Sequence, residues 1–231
     1  MISLREHQLN AIARAKYGGN SLFAHVVGAG KSFELISTVM EKKRLGLINK
    51  AAVVVPKPLV GQTALEWQKL YPNAKLLVAS KKDFTKENRN KFMARLTLGD
   101  YDAVIMLQEQ FEKIPMSMER QTAFIRNEID VITDAILDSD DKITTKRLEK
   151  KRKQLEVKLE KMLNSKKRDT AIEFEKTGIN LLVADESHGY KNGLIITKMQ
   201  NVSGITSTAT IGSHAKTSSL TTSDTLKNVR R

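Results

Sequence analysis

Short apolar runs alternate with amphipathic helical patterns along most of this chain, and this alternation limits the possible folds more than any other feature. The runs lack the polar alternation of a strand with one face in water, as expected when helices cover both faces of a parallel sheet. The pattern therefore predicts an α/β fold. The runs predicted to be strands are residues 22–24, 51–55, 74–79, 102–106 and 180–184.

The segments between these runs supply helices to cover the sheet. Residues 32–43 and 60–70 each repeat apolar side chains at helical spacing, and Pro56 and Pro72 end the preceding strand and the second helix. The side chains predicted to face the sheet, the last three only in part, are Phe33, Ile36, Val39, Met40, Leu65, Trp67 and Leu70.

The alternation stops at residues 117–177, where two long helical stretches flank the polar segment DSDDK. Each stretch has one narrow apolar seam, so the two are predicted to pack as an antiparallel hairpin. We divide the chain into one discontinuous domain, 1–116 with 178–210, the inserted hairpin 117–177, and a Ser- and Thr-rich tail, 211–231, that is expected to be poorly ordered. The seam residues are Ile125, Ile129, Ile132, Ile136, Leu148, Leu155, Leu159 and Met162.

The net charge of +13 indicates a polyanionic partner, because basic side chains that neutralise phosphates release condensed counterions. Much of this charge is local, since residues 142–169 contain twelve Lys or Arg and four Asp or Glu. Two interpretations of that segment stay open. It is either an arm that follows DNA or the solvated exterior of a coiled coil.

Composition excludes several classes of protein. No run approaches the roughly 20 apolar residues that span a bilayer, so we expect no membrane association. The N-terminus has no apolar core of signal-peptide length, which favours a cytoplasmic location. The chain has no cysteine and only four widely spaced histidines, so neither a disulfide framework nor a structural metal site is expected.

A glycine-rich segment, HVVGAGKSFEL, follows the first predicted strand and opens the first helix after it. Backbone amides around Gly28, Ala29 and Gly30, together with the helix dipole, would converge on an anion. Lys31 would reach the β- and γ-phosphates of a nucleotide, and the Ser32 hydroxyl would be a Mg²⁺ ligand. The alternative interpretation is a glycine turn beside a surface lysine.

A pair of carboxylates follows the last predicted strand in LLVADESHGYKN. Ligands of open α/β sheets bind at the carboxyl ends of strands, which is where Asp185 and Glu186 lie. Asp185 would hold Mg²⁺ through water, and Glu186 would orient and deprotonate an attacking water. A solvated turn is the alternative for such a pair when it stands alone.

The segments LREHQLNAI, HVVGAGKS, VVVPKPLV and DESH, in this order, resemble the Q-type motif and motifs I, Ia and II of superfamily II helicases. They are most similar to the chromatin-remodeller-like branch, with DESH in place of the commoner DEAH and His25 in place of the first glycine of the loop. The surrounding KKDF, QFEKIP and TKMQNVSGI resemble the helicase region of large mobile-element and phage proteins, which often also contain methyltransferase-like regions.

The resemblance implies a RecA-like P-loop sheet with helices on both faces and a long inserted helical hairpin. It implies ATP and Mg²⁺ as cofactors, and double-stranded DNA, bound without sequence specificity, as a partner. Gln8 would read the adenine edge, Arg5 would shape that pocket, and His188 would couple motif II to neighbouring motifs. Motif Ia would contact the nucleic-acid backbone through residues 56–60 and, more loosely, Gln62.

The same resemblance places the completion of the threonine-rich motif III, and the whole of a second RecA-like lobe with an arginine finger, beyond Arg231. We therefore expect a first lobe that by itself binds nucleotide weakly and hydrolyses it negligibly. The alternative is a non-catalytic DNA- or protein-binding module that uses the basic hairpin. A P-loop kinase is a third hypothesis, which would leave the DESH and motif Ia segments unexplained.

Overall fold

The computed structural model describes residues 2–138, 142–164 and 172–185. Within them, four parallel strands form one sheet in the order β2-β3-β1-β4. This arrangement confirms the predicted α/β class. The strands are β1 Lys50–Val54, β2 Leu76–Val78, β3 Ala103–Met106 and β4 Ile179–Ala184. The helices are α1 Glu6–Tyr17, α2 Lys31–Arg44, α3 Val60–Leu70, α4 Arg89–Leu98, α5 Gln108–Lys113, α6 Met118–Leu137 and α7 Lys142–Asn164.

The strand predicted at residues 22–24 is wrong. These residues form no ladder with the sheet, and the side chain of Leu22 is 78% exposed. A three-residue apolar run has few backbone groups to pair and here buries only part of Phe23. The run cannot by itself specify a strand, because pairing requires a free neighbouring edge at the right height in the sheet.

The two faces of the sheet carry separate hydrophobic clusters, because successive side chains of a strand point to opposite faces. One cluster packs β1 and β3 against α2 and α3, and the other packs them against α4 and α5. Trp67 on α3 is 1% exposed, as predicted, whereas Leu65 on the same helix is 61% exposed and was wrongly assigned to the buried face. Strand residues in the first cluster include Ala51, Val53, Ala103 and Ile105; those in the second include Ala52, Val54, Val104 and Met106.

Helices α6 and α7 pack against each other through the two seams named from the sequence, which form a third cluster. Only four residues separate the helices, so they must run antiparallel. Hydrogen bonds connect the N-terminus of α6 to the segment that precedes β4. The Ser117 backbone N–H and hydroxyl donate to the two Glu175 carboxylate oxygens at 3.1 and 3.2 Å. The Phe174 N–H also donates to Pro115 O at 2.7 Å.

Lys50, at the start of β1, is only 6% exposed. Its Nζ donates to Leu96 O at the end of α4 and to Thr177 O, the latter at 3.1 Å. Burial is the largest cause of the lowered pKa of Lys50, with the nearby charge of Lys43 adding to it. The amine satisfies carbonyls that α4 and the turn before β4 would otherwise bury without partners.

Candidate phosphate-binding site

The glycine-rich segment leads directly into α2, and two of its glycines have left-handed backbone conformations. Gly28 has φ of 87° and Gly30, the residue before the helix, has φ of 86°. The carbonyl of Gly30 accepts the N–H of Phe33 at 3.0 Å, which starts the hydrogen bonding of α2. Left-handed backbone costs an L-residue energy that glycine does not incur, so the loop shape depends on these two positions.

The Lys31 amine folds back over the loop that precedes it. Its Nζ donates to His25 O at 3.0 Å and to Val26 O at 3.4 Å. This position places a cation at the N-terminus of a 14-residue helix, beside the residues whose backbone would face an anion. The role of Lys31 in binding phosphates stays a prediction.

Helix α1 supports the loop from below through Gln8, which is 5% exposed. The Gln8 amide nitrogen donates to Ala29 O and Gly30 O, each at 3.3 Å, while its oxygen accepts the Arg5 backbone N–H at 2.8 Å. Both ends of the amide are therefore engaged within the protein. The role of Gln8 in reading adenine stays a prediction, and it would require exchange of these hydrogen bonds. The exposed Arg5 side chain lies at the start of α1.

The sequence also gave no indication of the contact between His25 and Glu34. Glu34 lies in the first turn of α2 with a side chain that is 0% exposed, and its two carboxylate oxygens are 2.8 and 3.0 Å from His25 Nδ1. His7 Nε2 lies 3.9 Å from Glu34 and 3.0 Å from Ala29 O. One sequence feature could have indicated that Glu34 is buried: it lies four residues before Thr38, on the same face of α2, and Thr38 is also buried.

Ser32 and Asp185, the two predicted Mg²⁺ ligands, line one pocket between α2, α3 and the sheet. Asp185 follows β4, and its backbone N–H donates to Val54 O at 2.9 Å, which aligns the ends of β4 and β1. The rest of the pocket wall is mostly apolar. Its other lining residues are Leu35, Ile36, Val39, Val53, Val55, Thr63, Trp67 and Val183.

Other predicted residues lie apart from this pocket or outside the described part of the chain. Residues 57–59 form a short 3-10 turn after β1, and the exposed Gln62 on α3 donates to Glu66 at 2.7 Å. Glu186, His188 and the predicted tail, 211–231, fall outside the described residues. Among the residues that the structure describes, no three His, Asp or Glu side chains are grouped as a metal ion would require, and no helix could cross a membrane.

A parallel sheet covered by helices on both faces, with a glycine-lysine loop that opens a helix, is consistent with a RecA-like fold. A family model described as a probable helicase domain matches residues 14–230. The chain therefore belongs to this helicase-domain family. The match begins within α1, after Arg5 and Gln8. Among curated proteins none matches the chain.

Proposed function

We propose that this chain is the ATP·Mg²⁺-binding first lobe of a superfamily II helicase-type ATPase of the chromatin-remodeller-like branch. One observation carries the proposal. Lys31 and Ser32 open α2 after a left-handed glycine, and Ser32 shares a pocket with Asp185 from the end of β4. These residue types at these positions are the ones that bind a nucleoside triphosphate and its metal ion.

The donor set fits Mg²⁺. The Ser32 hydroxyl and Asp185 carboxylate are hard oxygen ligands, which this cation prefers, and Mg²⁺ commonly keeps several waters beside one or two protein ligands. The ion would supply charge neutralisation for the phosphates. In this proposal Lys31 leaves the carbonyls of His25 and Val26 to bind phosphate oxygens, and Glu186, which follows Asp185 in the chain, acts on the attacking water.

Nucleotide binding by the purified chain tests the proposal. We expect a fluorescent ATP analogue to bind in the presence of Mg²⁺. Lys31→Ala should weaken binding by about tenfold or more, since a charged hydrogen bond contributes roughly 1.5–3 kcal/mol. Asp185→Asn should reduce the dependence of binding on Mg²⁺. Lys69→Ala, which removes an exposed lysine of α3, is the matched control. Equal binding by Lys31→Ala and Lys69→Ala would remove the basis of the proposal.

The proposed DNA contact lies at the carboxyl edge of the sheet. Exposed Lys57 follows β1, and exposed Lys81 and Lys82 follow β2. Because β3 separates these two strands, the lysines bracket the end of β3 at the edge where open α/β sheets bind ligands. We expect duplex DNA binding that weakens with salt, and a triple Lys→Ala variant with a smaller slope of log affinity against log salt.

One observation favours the second candidate function, a binding module based on the hairpin. Helix α7 has nine Lys or Arg against three Glu, whereas α6 has two Arg against four acidic residues. Lys146, Lys150 and Lys153 recur at helical spacing and are exposed. Lys151 instead faces α6, where burial lowers its pKa and the charge of Glu128 partly opposes this.

The two candidates differ in which lysines DNA binding needs. The binding module predicts salt-dependent DNA binding that Lys31→Ala leaves unchanged and that neutralising Lys146, Lys150 and Lys153 abolishes. A variant with the same charge change at Lys69, Lys91 and Lys113, which are exposed elsewhere, is the control. If both triple variants lose the same affinity, only net charge matters and the hairpin is not the binding element.

A further inference from the structure

The candidate phosphate loop is closed by a side-chain hydrogen bond between its two ends. His25 precedes the loop and Glu34 lies in the first turn of α2, nine residues later. His25 Nδ1 is within 3.0 Å of both Glu34 carboxylate oxygens. This contact encloses residues 26–33, which include both left-handed glycines and Lys31. The sequence departs from the usual loop at position 25, where the first glycine is replaced.

The burial of Glu34 explains why its carboxylate needs this contact. A carboxylate with 0% side-chain exposure is costly unless it accepts hydrogen bonds, and the described residues place only the two imidazoles of His25 and His7 within 4 Å of its oxygens as ion-pair partners. The two rings meet edge to face with centroids 5.7 Å apart. The carboxylate thus joins α1, the loop and α2.

The same pair also orients the group that holds Lys31. The backbone carbonyl of His25 accepts a hydrogen bond from the Lys31 amine at 3.0 Å. His25 therefore contacts Glu34 through its ring and Lys31 through its backbone. His7 continues the network, because its Nε2 reaches Ala29 O in the middle of the loop. Displacement of the His25 backbone would therefore move Lys31 as well as the loop.

We propose that His25 and Glu34 are a positioning pair that holds the phosphate loop in the conformation that receives a nucleotide and keeps Lys31 beside it, from where Lys31 moves onto the phosphate oxygens. For the ligand, this inference rests on the proposed function. The pair acts through the loop and Lys31 and does not itself contact the phosphates.

A double-mutant cycle with His25→Ala and Glu34→Ala tests the pair, read as affinity for a fluorescent ATP analogue with Mg²⁺. We expect each single variant to lose about tenfold in affinity, which is about 1.4 kcal/mol and close to the lower end of the range for a hydrogen bond to a charged group. The double variant should lose about the same, because either change alone breaks the contact. Glu34→Gln keeps an acceptor for His25 and should recover most of the affinity. Additive losses of about a hundredfold, or no recovery by Glu34→Gln, would overturn the pairing.

Hydrogen exchange of backbone amides gives a reading that does not depend on nucleotide. We expect faster exchange of residues 26–33 in Glu34→Ala and near wild-type exchange in Glu34→Gln, even if wild type does not bind the analogue. Glu41→Ala, on the same helix but partly buried and paired with Arg44 and Lys16 instead of the loop, is the control and should leave the loop unchanged. Wild-type exchange in Glu34→Ala would refute the inference, whereas absent nucleotide binding with altered exchange would refute only the proposed function.

Discussion

Replacing Gly30 by alanine should destabilise the protein through two separable effects. The first is conformational, because φ of 86° lies in the left-handed region and costs an L-residue about 1–2 kcal/mol. The second is a collision, since the added Cβ would lie 2.4 Å from Gln8 Nε2. The flexible Gln8 side chain can move away, but it then gives up its hydrogen bonds to Ala29 O and Gly30 O. At roughly 0.5–1.5 kcal/mol each, the two bonds add about 1–3 kcal/mol.

Gly28 offers a matched control in the same loop. Its φ is 87°, but no atom lies within 4 Å of an added Cβ, so Gly28→Ala should cost only the conformational part, about 1–2 kcal/mol. We expect Gly30→Ala to cost about 2–5 kcal/mol, the sum of both effects. Urea unfolding followed by circular dichroism measures both free energies.

The Gln8→Ala background isolates the collision. Without the amide, Gly30→Ala should cost no more than Gly28→Ala does, because only the backbone term remains. The reasoning fails if Gly30→Ala and Gly28→Ala are equal in the wild-type background. It also fails if the difference between them persists after Gln8 is removed.

Three further predictions concern burial. Lys50→Met should change how the free energy of unfolding depends on pH. Because burial lowers the folded-state pKa of Lys50, the unfolded state binds more protons than the folded state does. Wild type should therefore gain stability relative to Lys50→Met as pH rises from the folded-state pKa towards about 10.5. An unchanged difference in urea titrations between pH 8 and 10.5 would contradict this. Trp67→Ala should destabilise the protein by about 3–5 kcal/mol. Leu65→Ala, at an exposed position of the same helix, should change the free energy of unfolding by no more than about 0.5 kcal/mol. Equal costs in urea unfolding would contradict the packing of the Trp67 face of α3 against the sheet. Ile132→Ala should cost about 2–5 kcal/mol, seen as faster hydrogen exchange across α6 and α7 with unchanged nucleotide affinity, and a loss of affinity would show that the hairpin supports the site.

The physics of local sequence determined much of this protein. Side-chain periodicity is a property of a single strand or helix, and the runs at 51–55, 102–106 and 180–184 coincide closely with β1, β3 and β4. The seams of α6 and α7 were read in the same way, and their members form the hairpin cluster. Gly28, Gly30 and Lys31 also act within a few residues of chain, so the loop before α2 could be predicted without knowing what surrounds it.

Contacts between distant residues were decided only by the tertiary structure. The strand order places β1 between β3 and β4, and the run at 22–24 remains outside this sheet because strand pairing is set by neighbours and not by hydrophobicity. Ser32 and Asp185 come to one pocket across more than 150 residues of chain. Lys50 reads as an ordinary surface lysine until α4 and the turn before β4 surround it.

The His25–Glu34 contact shows the physical reason for this division. In the sequence, His25 is a departure from a glycine motif and Glu34 is a common helix residue. Their value depends on α2 turning the Glu34 carboxylate inward while α1 brings His7 and Gln8 against the loop. Periodicity identifies the elements, but a buried polar group finds its partner only when several elements pack, and its energy depends on that packing.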